Sequence, residues 1–292
     1  MKGTMMAMSN TELTNTPQKS PNMLGAIVGD VVGSVYEWNN IKTTEFPLFG
    51  RESYFTDDSV MTIAVAHALL GKEDVPSRDT LPSRDMLQRA FVSSMQKFGR
   101  RYPGAGYGSR FYDWVFNLAP EPYNSWGNGS AMRVSPVAWV ANSVEECEQL
   151  AMESALVTHN HPEGVKGAQA TAACIFLARM GYDNDEIRRY VEENYGYYLG
   201  FSIKSIRKDY DYDISCQGSV PPSIVAFLES DSFEDALRRI ISIGGDSDTL
   251  GAITASIAQA RYSIPADIAA ETRTRLPQDL LEVLDCFCDI YL

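Results

Sequence analysis

Several protein classes are excluded by what the chain has little of. Its five cysteines (Cys147, Cys174, Cys216, Cys286, Cys288) are odd in number and include no C-x-x-C pair, which argues against a disulfide framework or a zinc knuckle and predicts reduced, mostly buried thiols. No Lys/Arg cluster interrupts an excess of 38 acidic over 25 basic side chains, and the resulting net charge of −13 repels nucleic-acid backbones and anionic lipid surfaces. Neither nucleic acid nor membrane is therefore an expected partner. Every apolar stretch is broken by polar residues before it reaches membrane-spanning length, and the first residues lack the charged-then-apolar layout of a signal peptide. A cytoplasmic location is expected.

What is present suits a buried helical core. Hydrophobic residues make up 45% of 292 positions, enough to fill one sizeable domain. Residues 1–22 are polar and Ser/Thr/Asn-rich, the composition of a flexible arm, and 23–292 read as a single domain. From Met23 to Tyr36, apolar residues recur in pairs every four positions, a helical stripe. Similar stripes predict helices near 60–70, 84–99, 143–157, 163–180, 184–194, 222–229, 233–243, 249–262 and 278–291, with scarcely a convincing strand. The fold class expected is all-α, a compact orthogonal helical bundle whose loops carry the function.

Four stretches carry chemistry. In the first helix Asp30 and Glu37 stand seven apart among apolar residues, two turns along one face, beside glycines at 25, 29 and 33 that admit another backbone or a ligand. Asp30 alone reads equally as a hydrogen-bonded core acid. Thr56, Asp57 and Asp58 precede the second stripe; one of them suffices to cap a helix, and three oxygen donors exceed that need. Asp246, Asp248 and Thr249, just after Gly244-Gly245, repeat the pattern. Converging in a bundle, the two clusters make an all-oxygen cage for hard cations such as Mg²⁺ or Mn²⁺.

The third stretch, Gly127-Asn128-Gly129-Ser130, is either an ordinary turn or a backbone cradle for phosphate. The fourth holds His159 and His161, two of only three histidines, which lack a third soft ligand for zinc; His67, amid aliphatics, reads as packed.

Together and in this order, GAIVGDVVGSVYE, FTDDSVMT, GNGSAMRVSP, THNHPEGVKGAQA and GGDSDTLGAI resemble the ADP-ribosylglycohydrolase family. The resemblance implies a helical fold with a binuclear Mg²⁺ or Mn²⁺ site in a central cleft. It implies metal ligands at Thr56, Asp57, Asp58, Asp246, Asp248 and Thr249, and catalytic roles for Glu37, beside the attacking water, and for Asp30, supporting the site. Gly127, Asn128, Gly129, Ser130 and His159 are implied to line the substrate pocket, and the implied partners are ADP-ribose and an ADP-ribosylated protein. Two departures from the family pattern, Ser59 for threonine and Ala255-Ser256 for glycine, touch no metal donor. Tyr107, Phe111, Tyr112 and Trp114 offer an aromatic wall for adenine or ribose, or simply core packing.

The implied reaction is metal-dependent hydrolysis of the bond between ADP-ribose and an acceptor. Two alternatives accompany it. Asp246-Ser247-Asp248-Thr249 superficially matches a D-x-D-type phosphatase, without the strand that such a motif follows. A protein that only binds ADP-ribose, or that neutralises an ADP-ribosyltransferase toxin through its polar arm, is the non-enzymatic reading.

Overall fold

Two helices from opposite ends of the chain form the axis of the fold. In the computed structural model, which describes residues 22–71 and 83–292, α1 (Gly25–Gly33) and α13 (Ser247–Gln259) are buried along their whole length. They pack against each other because α1 offers glycine every fourth residue. A methyl group at Gly25 would stand 2.5 Å from the Ala255 carbonyl, and one at Gly29 or Gly33 would overlap the backbone of Gly251 or of Ser247–Asp248. Glycine therefore lets the two backbones touch, which carries Asp30 of α1 next to Asp248 at the start of α13.

Other helices enclose this pair. α2 (Asp57–Leu70) lies against α1, α3 (Arg84–Arg101) and α15 (Gln278–Tyr291), while α11 (Cys216–Leu228) and α12 (Phe233–Ile241) pack on α13. α7 (Val144–Leu156) pairs with α8 (Pro162–Arg179), and α8 also reaches α5 (Gly129–Met132), α6 (Ser135–Val140) and α9 (Asn184–Tyr195). Short α4 (Ser109–Phe116), α10 (Ile203–Ile206) and α14 (Ala266–Arg273) complete fifteen helices among the described residues. Those residues contain no strand, only an isolated antiparallel bridge between Gly127 and Ser215. The all-α single domain is as expected, and the D-x-D phosphatase reading loses its strand-borne framework. The N-terminal arm, except Asn22, lies outside the described residues.

Local sequence explains the helix boundaries. Thr56, Ser83, Ser143, Asp183, Ser215 and Ser232 each accept a backbone N–H at a helix start, and Asp183 with Glu186 closes a reciprocal capping box. α12 buries Phe233, Ala236, Leu237, Ile240 and Ile241 along one stripe. Each fully buried side chain of the Leu, Ile or Phe kind contributes roughly 1.5–3 kcal/mol.

Two boundaries differ from expectation. α1 stops at Gly33 rather than running to Tyr36, because the Tyr36 and Glu37 amides both turn back to the Gly33 carbonyl. Asp30 and Glu37 accordingly do not share a helix face. α11 begins at Cys216 and not at 222, with Pro221 and Pro222 inside it. Pro222 has no N–H to offer the Gly218 carbonyl, which instead accepts the Tyr210 hydroxyl at 3.1 Å.

Candidate metal centre

Six carboxylates converge where α1, α2 and α13 meet, and five of them divide into two overlapping groups. Single oxygens of Asp30, Asp58 and Asp248 lie within 4.8 Å of one another, as do single oxygens of Glu37, Asp246 and Asp248. Asp248 belongs to both. Asp57, expected as a ligand, is in neither group; it opens α2, with its amide bonded to the Ala105 carbonyl at 2.8 Å and its carboxylate beside Gly106.

The first group is built on helices. Asp30 is fully buried and accepts the Thr56 hydroxyl at 2.7 Å, the Thr56 and Ser59 amides at 2.9 and 3.0 Å, and the Ser59 hydroxyl. The Thr249 hydroxyl donates to Asp58 Oδ2 at 3.2 Å. Both threonines thus spend their protons on carboxylates and keep lone pairs directed elsewhere. Asp58 Oδ1 is buried with no hydrogen-bond partner.

The second group rests on turns. Glu37 is half-buried and accepts the Tyr212 hydroxyl at 3.0 Å, and the Tyr212 ring stacks on exposed Trp38 with centroids 5.6 Å apart. Asp246 precedes α13 and accepts Asn128 Nδ2 at 2.6 Å; the same nitrogen reaches Ser219 Oγ at 3.0 Å. Asp248 Oδ1 accepts the amide of Thr249 at 3.0 Å.

The electrostatics of the cluster are unbalanced. Burial pushes the Asp30 carboxyl up to about 6 against the pull of its Ser59 and Thr56 bonds. Burial, then the charges of Asp30 and Asp246, push Asp57 to about 8. Asp58 and Asp248 are held well above the ordinary carboxylate range by burial and by one another's neighbours, and Asp246 and Glu37 are raised, burial being again the first cause. No lysine or arginine among the described residues forms an ion pair with any of the six. A buried oxygen without a partner, beside carboxylates that repel one another, fits a site for hard cations with oxygen ligands.

The loop expected to cradle phosphate is more committed than its glycines suggested. The Gly127 amide bonds Ser125 Oγ at 3.2 Å and the Asn128 amide bonds the Ile214 carbonyl at 2.8 Å. Ser130 is fully buried and its hydroxyl donates to the Gly164 carbonyl at 2.7 Å, joining α5 to the start of α8. His159 lies against the loop, its Nε2 next to Gly129, with Nδ1 2.7 Å from the Thr158 hydroxyl. Burial first, then the charges of Arg133 and Arg110, hold its imidazole well below the usual histidine range, so the ring is neutral. His161 plays a different part, accepting the Glu163 amide at 3.1 Å as a helix cap.

The aromatic run divides between the two readings given for it. Phe111 and Trp114 stack on each other in the core with centroids 5.4 Å apart, and Tyr112 pairs with Phe116 on the outer face. Only Tyr107 stands beside the cluster, near Asp57. The aromatics that do flank the site are Tyr123, 6.0 Å from the His159 ring and under the Arg110 guanidinium, and Tyr212. Nothing local in the sequence marked Tyr212, whose partner Glu37 stands 175 residues away.

An all-helical domain that aims two overlapping carboxylate groups at one place has the donor set of a hydrolase working with hard cations. The chain belongs to the ADP-ribosylglycohydrolase family, whose model matches residues 22–290. It is 28% identical to ADP-ribosylhydrolase ARH3 of Mus musculus over 315 aligned positions, covering 83% of each chain. It is 23% identical to the ADP-ribosyl-[dinitrogen reductase] glycohydrolase of Rhodospirillum rubrum over 269, covering 82% of this chain and 84% of that one. A solved ADP-ribosylglycohydrolase-related protein complex shares the fold, with a TM-score of 0.66, 19% identity and coverage of 92% and 96%. Family and relatives together make this chain an enzyme of the ADP-ribosylglycohydrolase class.

Proposed function

We propose that this protein hydrolyses the glycosidic bond between ADP-ribose and a modified protein side chain, with two Mg²⁺ or Mn²⁺ ions held between α2 and α13. The observation that carries the proposal is the pair of carboxylate groups meeting at Asp248. Thr56, Asp57, Asp58, Asp246, Asp248 and Thr249 are the donors, and Asp30 and Glu37 complete the two carboxylate groups around them. Asp58 and Asp248, held well above the ordinary carboxylate range by burial and then by their negative neighbours, are the members that most need a compensating positive charge. When bound, the cations supply Lewis acidity and the positive charge that offsets both the cluster and a diphosphate ligand.

The chain's own residues do the rest. Asp30 supports the site by fixing Thr56 and Ser59. Glu37, half-exposed at the edge of the cluster, orients the attacking water and takes its proton as the water oxygen bonds the anomeric carbon, and as the bond to the acceptor breaks that proton passes to the departing acceptor atom. Gly127, Asn128 and Gly129 form the floor on which ADP-ribose rests, with neutral His159 behind them and Ser130 anchoring them from below. Five free thiols agree with work in the reducing cytoplasm.

A toxin-neutralising role rests on the N-terminal arm, which lies outside the described residues, and no other observation favours it. The test is incubation with proteins ADP-ribosylated on arginine or on serine, with Mg²⁺, Mn²⁺ or EDTA, reading free ADP-ribose. Metal-dependent release from at least one acceptor is expected; no release from any would overturn the proposal.

A further inference from the structure

Glu37 leaves α1 on a turn, and its placement against Asp246 depends on a residue that the reaction does not use. The Asn40 side chain reads a single residue of the opposite turn as a neighbouring strand would. Its Oδ1 accepts the Gly245 amide, and its Nδ2 lies 3.3 Å from the Gly245 carbonyl. The same nitrogen donates to the Glu37 carbonyl at 2.6 Å and reaches the Tyr36 carbonyl at 3.0 Å. Gly244 and Gly245 turn at φ +69° and +81°, a left-handed pair that presents the Gly245 peptide to Asn40. A side chain at Gly244 would overlap the Asn40 carboxamide, so the niche is matched to it.

Neighbouring bonds follow the same direction. Lys42 Nζ donates to the carbonyls of Ile243 and Tyr210, the latter at 2.7 Å, and the Ser247 hydroxyl lies 3.4 Å from the Tyr36 carbonyl. Of these, only Asn40 ties the Glu37 main chain itself to the residue before Asp246.

We infer that Asn40 is a positioning residue that sets the cation affinity of the Glu37–Asp246–Asp248 group separately from that of the Asp30–Asp58–Asp248 group. This rests on the two-cation reading above. The helices hold the second of these groups without help from Asn40. The first has one carboxylate on each of two turns, and the Asn40 amide ties the Glu37 main chain to the residue before Asp246.

Calorimetric titration with Mn²⁺ tests it, using the wild-type chain, Asn40→Ala and Asn40→Asp, with melting temperatures taken in EDTA. Asn40→Asp keeps the acceptor for the Gly245 amide but replaces the donor with an oxygen that faces the Glu37 and Gly245 carbonyls. Both variants should hold one Mn²⁺ at wild-type affinity and bind the other about tenfold more weakly or worse, the size of effect expected from losing the two bonds. Two Mn²⁺ at wild-type affinity in either variant would overturn the inference, and so would equal weakening of both ions, which marks a general loosening. A wild-type chain that takes up no Mn²⁺ would overturn the two-cation reading, a result distinct from variants that match a two-cation wild type.

Discussion

The two carboxylate groups share Asp248 and the same chemistry, yet they are supported in opposite ways. Asp30, Asp58 and Asp248 are all buried and lie on α1, α2 and α13, so helix packing alone sets their spacing. Glu37 and Asp246 lie on turns, Glu37 is only half-buried, and Trp38 beside it is 74% exposed. One half of the site is a rigid floor, and the other is an edge that solvent and substrate can reach. The rigid half suits the permanent holding of an ion, and the turn-borne half suits the chemistry.

The largest effect should come from the residue common to both halves. Asp248→Ala should abolish hydrolysis and any rise in melting temperature on adding Mg²⁺, because both groups lose a donor together. Gly29→Ala breaks the rigid half through the fold, since its methyl would overlap the Gly251 backbone. Urea denaturation should register a loss of about 3 kcal/mol or more, at or above the top of the usual range for overpacking, because the obstacle is main chain.

Glu37→Ala touches only the outer half. It should leave at least one cation and ADP-ribose binding measurable by calorimetry while lowering turnover by about 10² to 10⁴. Unchanged turnover would remove Glu37 from the mechanism.

A pH series separates the metal-free protein from the loaded one. Asp30 and Asp57 are raised from an ordinary 3.8 to about 6 and about 8, so between pH 4 and 8 the folded chain binds more protons than the unfolded chain. Stability in EDTA should therefore fall as pH rises through that window, and Mg²⁺ should flatten the fall. Melting temperatures at pH 5 and 8 check the direction. The smallest effect belongs to Tyr212→Phe, which removes one hydrogen bond to Glu37 and should cost about 1 kcal/mol, a few-fold in turnover.

The contrast also explains what could be read in advance. Helix periodicity located α2, α3, α7, α8, α9, α12 and α15 closely, because each alternates a buried stripe with a polar face or starts at a clear cap. α4, α5, α6, α10 and α14 escaped it, being at most eight residues long. Within the site, the Thr56–Asp58 and Asp246–Thr249 clusters were visible as local surpluses of oxygen at helix starts. Asn40 and Tyr212 were not, because their meaning lies in partners 205 and 175 residues away. The aromatic run stayed ambiguous for the converse reason: it looks alike whether it faces a ligand or the core, and burial decides for Phe111 and Trp114.

Crystals grown with Mn²⁺ test the shared-aspartate arrangement most directly, through the anomalous scattering of the metal. Two peaks should appear with Asp248 between them, one beside Asp58 and one beside Asp246 and Glu37. A single peak, or peaks that leave Asp248 without a metal contact, would contradict it.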